Sequence, residues 1–169
     1  MDDRVLPIPR IPRASLGEGP FKVSQSDVVV DPDKLAAALA DRLAAIAPDG
    51  INVQAADGML WYSCAGRFPA EPDSYRPGSS GTYVRDNFEA HAGDMTDEDS
   101  ATAVGRRALD ELQDFVDEAT REPWPGTTTP PHPFAEVRSE TLHLWYGDAN
   151  INDDPVLACE PIPLASLRP

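Results

Sequence analysis

The chain has 169 residues and a formal net charge of −15, with 41% hydrophobic residues, 18 prolines and only two cysteines. So acidic a balance excludes direct nucleic-acid binding, which needs basic surface to displace counterions, and equally excludes adhesion to an anionic membrane. Two cysteines, Cys64 and Cys159, are too few for a disulfide framework, and no stretch approaches the roughly 18 apolar residues of a membrane span.

Residues 1–26 open with LPIPRIPR, where Pro7, Pro9 and Pro12 favour extended polyproline II over helix, and Arg4, Arg10 and Arg13 make the segment locally basic. Asp2 and Asp3 stand where a signal peptide is basic, so the expected location is cytoplasmic. This gives a proline-rich arm over 1–26 and one globular domain over 27–169, a length that buries about two-thirds of the unfolded surface.

Val28, Val29 and Val30 lead into the first helix, either as a short strand or as a plain connection. Asp31 followed by Pro32 is a helix start, an N-cap aspartate with proline at the first helical position. Leu35, Leu39, Leu43 and Ile46 then form an apolar stripe that ends at Pro48, Asp49 and Gly50. In residues 51–64 the pair Asp57 and Gly58 lies between two strand-like runs and predicts a tight hairpin. With that turn, Ala55 faces Leu60, Val53 faces Tyr62, Ile51 faces Cys64 and Gln54 faces Trp61. A proline- and glycine-rich loop over 65–81 precedes a third strand expected near 82–85, and 86–95 carries no clear signal.

Residues 96–122 predict one long amphipathic helix. Ala101, Val104, Ala108, Leu112, Phe115, Val116 and Ala119 recur at three- and four-residue steps. Asp110, Glu111, Asp114, Asp117 and Glu118 fill the opposite side, and Thr96 with Asp99 has the form of a capping box. Burial of Leu112, Phe115 and Val116, at roughly 1.5–3 kcal/mol each, would anchor this helix to a sheet. Residues 86–122 hold twelve acids against three arginines, so −9 of the −15 lies here.

After a rigid connector over 123–133, residues 135–146 read as a second hairpin with its turn near Glu140. Leu142, Leu144 and Tyr146 face inward, and His143 and Trp145 lie on the other face. A closing strand over 156–160 is stopped by Pro161 and Pro163. The order is roughly α-β-β-β-α-β-β-β, which predicts an α+β two-layer sandwich with two helices on one face of a mostly antiparallel sheet. Windows 51–64 and 135–148 share Val53/Val137, Leu60/Leu144, Trp61/Trp145 and Tyr62/Tyr146. An internal pseudo-repeat accounts for this, and so does the plain preference of strands for aromatics.

Few constellations carry chemistry. Trp61 and Trp145 fall on the face away from the helices, where an exposed aromatic patch would bind a partner protein or a second copy; burial beneath loops is the alternative. Asp110, Asp114 and Asp117 share one helix face that suits a basic partner, although a charge run is usually a solvated surface. Asp148, Asn150 and Asn152 match the start of a calcium loop, but Asp153 stands where glycine belongs and Cys159 at the twelfth position. An asparagine-rich turn explains the same residues. His91, His132 and His143 have no ligand spacing, and neither a nucleophile elbow nor a phosphate loop is present, so no cofactor and no catalytic residue is assigned.

These features describe a non-enzymatic protein-interaction module, dimeric or bound to another protein. Its element order, size and acidity resemble the secretion-chaperone fold, whose small acidic dimers hold an effector segment in extended form. The chain departs from that fold in ending with a strand where a helix is usual. A nucleic-acid-mimic decoy of a basic enzyme is the first alternative, and a small-molecule or calcium-dependent binding protein the second.

Overall fold

The computed structural model describes residues 29–64, 79–126 and 128–169. The expected arm over 1–26 and most of the 65–81 loop lie outside these residues.

Helix α1 spans Pro32–Ile46, and its start follows from one side chain: the Asp31 carboxylate accepts the amides of Asp33 and Lys34. Strands β1 (Ile51–Ala56) and β2 (Met59–Cys64) form the expected hairpin in the expected register, with Val53 opposite Tyr62 and Gln54 opposite Trp61. Asp57 and Gly58 both take positive φ, 53° and 74°, as a two-residue hairpin with the right twist requires.

The third strand is shifted from its expected place. β3 spans Ser79–Tyr83, and Val84 and Arg85 already belong to a short helix α2, Val84–Ala90, in the region without sequence signal. The Arg85 amide donates to Gly58 O, and its guanidinium grips Asp33 through both carboxylate oxygens at 2.6 and 2.7 Å, so α2 is tied to the hairpin turn and to α1.

Helix α3 spans Asp97–Thr120, about 36 Å of helix at 1.5 Å per residue. Thr96 caps it, accepting the Asp99 amide at 3.1 Å while its hydroxyl donates to the Asp99 carboxylate. Every residue of the expected apolar stripe is buried, with Leu109 in addition. β4 (His132–Arg138) and β5 (Thr141–Gly147) pair from His132 opposite Gly147 to Arg138 opposite Thr141. Their turn is Ser139 and Glu140, both at positive φ. Neither residue is the glycine or asparagine that usually announces such a turn, which is why the sequence left it vague. The closing segment does not stop at its prolines: β6 (Leu157–Ala158) and β7 (Ile162–Pro163) both pair along the second edge of β5, as one strand interrupted at Pro161. A 3-10 turn, Leu164–Leu167, follows.

The fold is the expected α+β sandwich with antiparallel strands, but the strands form two sheets, β1-β2-β3 and β4-β5 with β6 and β7. α1 covers β1, and α3 lies across both sheets and joins them. Two tyrosines fasten that junction: Tyr62 Oη lies 3.1 Å from Ala108 O, and Tyr146 Oη donates to Leu109 O at 2.6 Å. They are the tyrosines of the two Leu-Trp-Tyr triplets, so the suspected repeat preserves which face each residue takes. It does not preserve hairpin register, because the turn at 57–58 aligns with 141–142 while the second turn sits at 139–140.

The alternating pattern that turns Leu142, Leu144 and Tyr146 toward α3 sends Trp145 to the opposite face, as expected. There the expected exposure fails: Trp145 is only 1% accessible. Phe134, its cross-strand neighbour, stacks on it with centroids 5.6 Å apart, and its Nε1 donates to Asp148 O at 2.8 Å.

Candidate functional site

The outward stripe of α3 repeats at helical spacing through Asp99, Ala103, Arg106, Asp110 and Asp114. Since α3 lies across the second sheet, this stripe faces the outer edge of β4, and between them runs an open groove of about 810 Å³. His132, Pro133 and Ala135 form the strand-side wall. β4 pairs only with β5 among the described residues, so its groove-side edge lacks a strand partner there. Pro133 has no amide to offer, which suits an edge position.

Charge is unevenly satisfied along the groove. Glu111 is fixed at both oxygens: Arg107 Nε donates to Oε1 at 2.8 Å and the Thr82 hydroxyl donates to Oε2. With the Thr82 proton committed to the carboxylate, the Tyr62 proton is shared between Thr82 Oγ1 at 2.8 Å and Ala108 O. A hydrogen-bonded chain therefore runs from the core to the groove floor. Its buried end holds the Tyr62 phenol well above its ordinary range, through burial first, opposed by the Thr82 hydrogen bond and assisted by the Glu111 charge. Arg106 reaches around β4 and lies 6.0 Å from the Phe134 ring centroid.

Both groove arginines are thus engaged, whereas Asp110 and Asp114 hold no ion pair among the described residues. Asp114 is held above the usual carboxylate range by partial burial and then by the charges of Asp110, Asp117, Glu111 and Glu118. Asp117 lies one turn further on, where its carboxylate accepts the Trp124 amide at 2.7 Å. It borders a second hollow of about 610 Å³ with Glu118, Arg121, Glu122 and Pro123. Gln113 stiffens that end, donating from Nε2 to the carbonyls of Trp124 and Pro131, both at 2.9 Å.

The residues expected to meet a partner therefore separate. Asp110 and Asp114 come together in the groove, Asp117 sits at its end, and Trp145 is internal. Trp61 lies on the face of the first sheet turned away from the helices, 40% accessible, with Tyr83 at 54% on the neighbouring strand of the same face. Strand alternation relates Tyr83 to Trp61, but placing β3 three residues late hid the relation. In the proposed calcium segment Asn150 Oδ1 accepts the amide and the side-chain nitrogen of Asn152, both at 3.1 Å, and Asp148 O receives Trp145. That geometry is an asparagine turn. No cluster of three or more His, Cys, Asp or Glu suited to a metal ion occurs among the described residues. Cys159 is buried and its thiol pushed up to about 12, chiefly by burial, with Arg42 opposing; such a thiol is a poor nucleophile. No described helix is long and apolar enough to cross a membrane.

No family model, curated protein or solved structure matches this chain.

Proposed function

We propose that this chain is a non-enzymatic protein-interaction module whose α3–β4 groove receives an extended, positively charged segment of a protein partner. The observation that carries this is the pair Asp110 and Asp114, two carboxylates lining a groove with no cation of their own among the described residues. Like charges crowded on one helix face destabilise it, and a basic partner segment would relieve that repulsion. Arginine is the natural complement, since its planar fork meets carboxylates in paired hydrogen bonds. An acidic groove beside a strand edge that is unpaired among the described residues also suits the secretion-chaperone manner of holding a partner extended.

The decoy is the weaker reading on charge density. α3 carries eight acids over 24 residues, with Arg106 and Arg107 between its two acidic clusters. That is about one charge per 4.5 Å before the arginines are counted, against about one per 1.7 Å along duplex DNA.

The test is a native pull-down from the source organism's lysate with the chain and its Asp110→Asn/Asp114→Asn/Asp117→Asn variant as baits. The native bait should recover one stoichiometric partner at low salt, and the variant should lose at least ten-fold of it. Equal recovery by both baits would remove the groove from the explanation.

A second reading rests on a separate observation. Trp61 and Tyr83 stand exposed on the outer face of the first sheet, beside half-buried Met59 and without a charged neighbour on the paired strands. In a chain of net charge −15, an uncharged aromatic face is where two copies meet with least repulsion. Light scattering would then give a dimer mass that Trp61→Ser converts to a monomer; a monomer in both chains rejects it.

A further inference from the structure

The outer edge of β4 offers its backbone groups in a fixed phase. The amides of Val156 and Cys159 donate at 2.9 Å to Tyr146 O and Leu144 O, on the side of β5 away from β4. Opposed residues of an antiparallel pair turn their backbone groups either toward one another or both apart. Pro133 and Ala135 stand opposite Tyr146 and Leu144, and Val137 stands opposite Leu142, so these three turn their backbone groups away from β5. Among the described residues β4 pairs with β5 alone, which leaves Pro133 O and the N–H and C=O of Ala135 and Val137 without a strand partner there. Ala135 and Val137 are half-buried, so water solvates these groups incompletely, and an added strand would satisfy them.

The two faces beside this edge differ in charge. Ala135 faces α3, since a Cβ at Gly105 would lie 3.6 Å from its own Cβ, and Asp99, Asp110 and Asp114 line the groove on that side. On the other face Phe134 stacks on Trp145, and Glu136 is neutralised by Arg138 at 2.7 Å. A strand added antiparallel, the more stable pairing per residue, keeps the residue opposite Ala135 on the α3 face with its amide turned to β4. Charge complementarity makes that residue basic, and its neighbours, which turn toward Phe134, apolar. A second copy of β4 fits less well, because it would bring two acidic α3 stripes to one seam. Arg106, 6.0 Å from the Phe134 ring centroid, gives way to the added strand, an exposed cation–π contact being weak.

We infer that the partner segment joins the outer edge of β4 as an added antiparallel strand, bonded to Pro133, Ala135 and Val137, and that it alternates basic residues facing α3 with apolar ones. This rests on the groove reading above and adds to it the segment's backbone conformation and sequence pattern.

The test is amide hydrogen exchange by NMR on the full-length chain at low salt, with the capped peptide Arg-Val-Arg-Val-Arg-Val as probe. In the free chain the Ala135 and Val137 amides should exchange about ten-fold faster, or more, than those of Glu136 and Arg138, which face β5. Saturating peptide should slow the Ala135 and Val137 amides by about ten-fold or more. Methylating the arginine backbone nitrogens of the peptide should abolish that protection, because those amides face β4; methylating the valine nitrogens should leave it. Slow exchange of Ala135 and Val137 in the free chain would show the edge already paired and overturn the proposal. Chemical-shift changes at Asp110 and Asp114 without protection of the two amides would keep the groove and reject the strand. No shift changes at peptide concentrations on the order of 1 mM would also overturn it, and the pull-down then judges the groove separately.

Discussion

Raising the pH from 8 to 11 is expected to remove several kcal/mol of unfolding free energy, in two stages that belong to different residues. Cys159 acts first. Its thiol is pushed up to about 12 from an ordinary 9 because burial disfavours the thiolate, Arg42 opposing. The unfolded thiol therefore loses its proton earlier than the folded one. Stability contributed by the neutral thiol is complete below pH 9 and lost as pH rises toward 12, about 1.4 kcal/mol by pH 10 and about 2.7 by pH 11. Tyr62 and Tyr146 join above pH 10, since both phenols are held above their ordinary value, chiefly by burial. Each adds about 1.4 kcal/mol of loss by pH 11. Denaturant unfolding at pH 8, 9, 10 and 11 reads the effect. Cys159→Ala should flatten the curve between pH 9 and 10 and make the fall from pH 10 to 11 shallower by about 1.3 kcal/mol, leaving the part that belongs to the tyrosines. Parallel curves for the two chains would show that the buried thiol does not control alkaline stability.

Replacing Gly105 with valine is expected to destabilise the fold by about 2–3 kcal/mol, the range for overfilling a packed interface. Gly105 lies in the middle of α3 and is buried, with helical backbone, so conformational freedom is not its reason. Space is the reason: a Cβ there would lie 2.8 Å from Leu144 Cδ2, 3.5 Å from Leu142 Cδ2 and 3.6 Å from Ala135 Cβ. The glycine lets α3 settle on β4 and β5 closely enough for the Tyr146 hydroxyl to reach Leu109 O. Gly105→Ala should be nearly neutral. Alanine gains about 1 kcal/mol in helix propensity and needs only the end of the Leu144 side chain to shift. Valine adds two methyl groups on the same side and has no such room. A valine variant as stable as the alanine variant would mean that the two layers part easily at this point, and that the groove is softer than its packing implies.

Both experiments probe the joint that makes the groove. The sheets are separate, and α3 with its two tyrosine hydrogen bonds holds them in one body. Anything that lifts α3 from β4 and β5 alters the distance between Asp110 and the β4 edge, and with it the space open to an extended segment.

What the sequence determined by itself was local. α1 follows from Asp31, Pro32 and a leucine stripe, α3 from Thr96 and a seven-residue apolar repeat, and the first hairpin with its full register from Asp57 and Gly58, because capping, periodicity and turn chemistry act within a few residues. The same locality made Asp110 and Asp114 legible as one outward helix face. Other features required the assembled chain. The second hairpin turns at Ser139 and Glu140, whose positive φ is imposed by the pairing of β4 with β5 and by no residue preference. α2 is held by Arg85 through Asp33 and Gly58 O, partners 52 and 27 residues away. Trp145 has the same strand parity as Trp61, yet one is internal and the other exposed: among the described residues Phe134 stacks on Trp145 and Asp148 O accepts its indole N–H. The groove is the clearest case. Its acids were visible along the helix, but its other wall is a strand edge twenty residues further on. Burial of the apolar stripe of α3, an energy summed over the whole interface, brings that edge opposite Asp110.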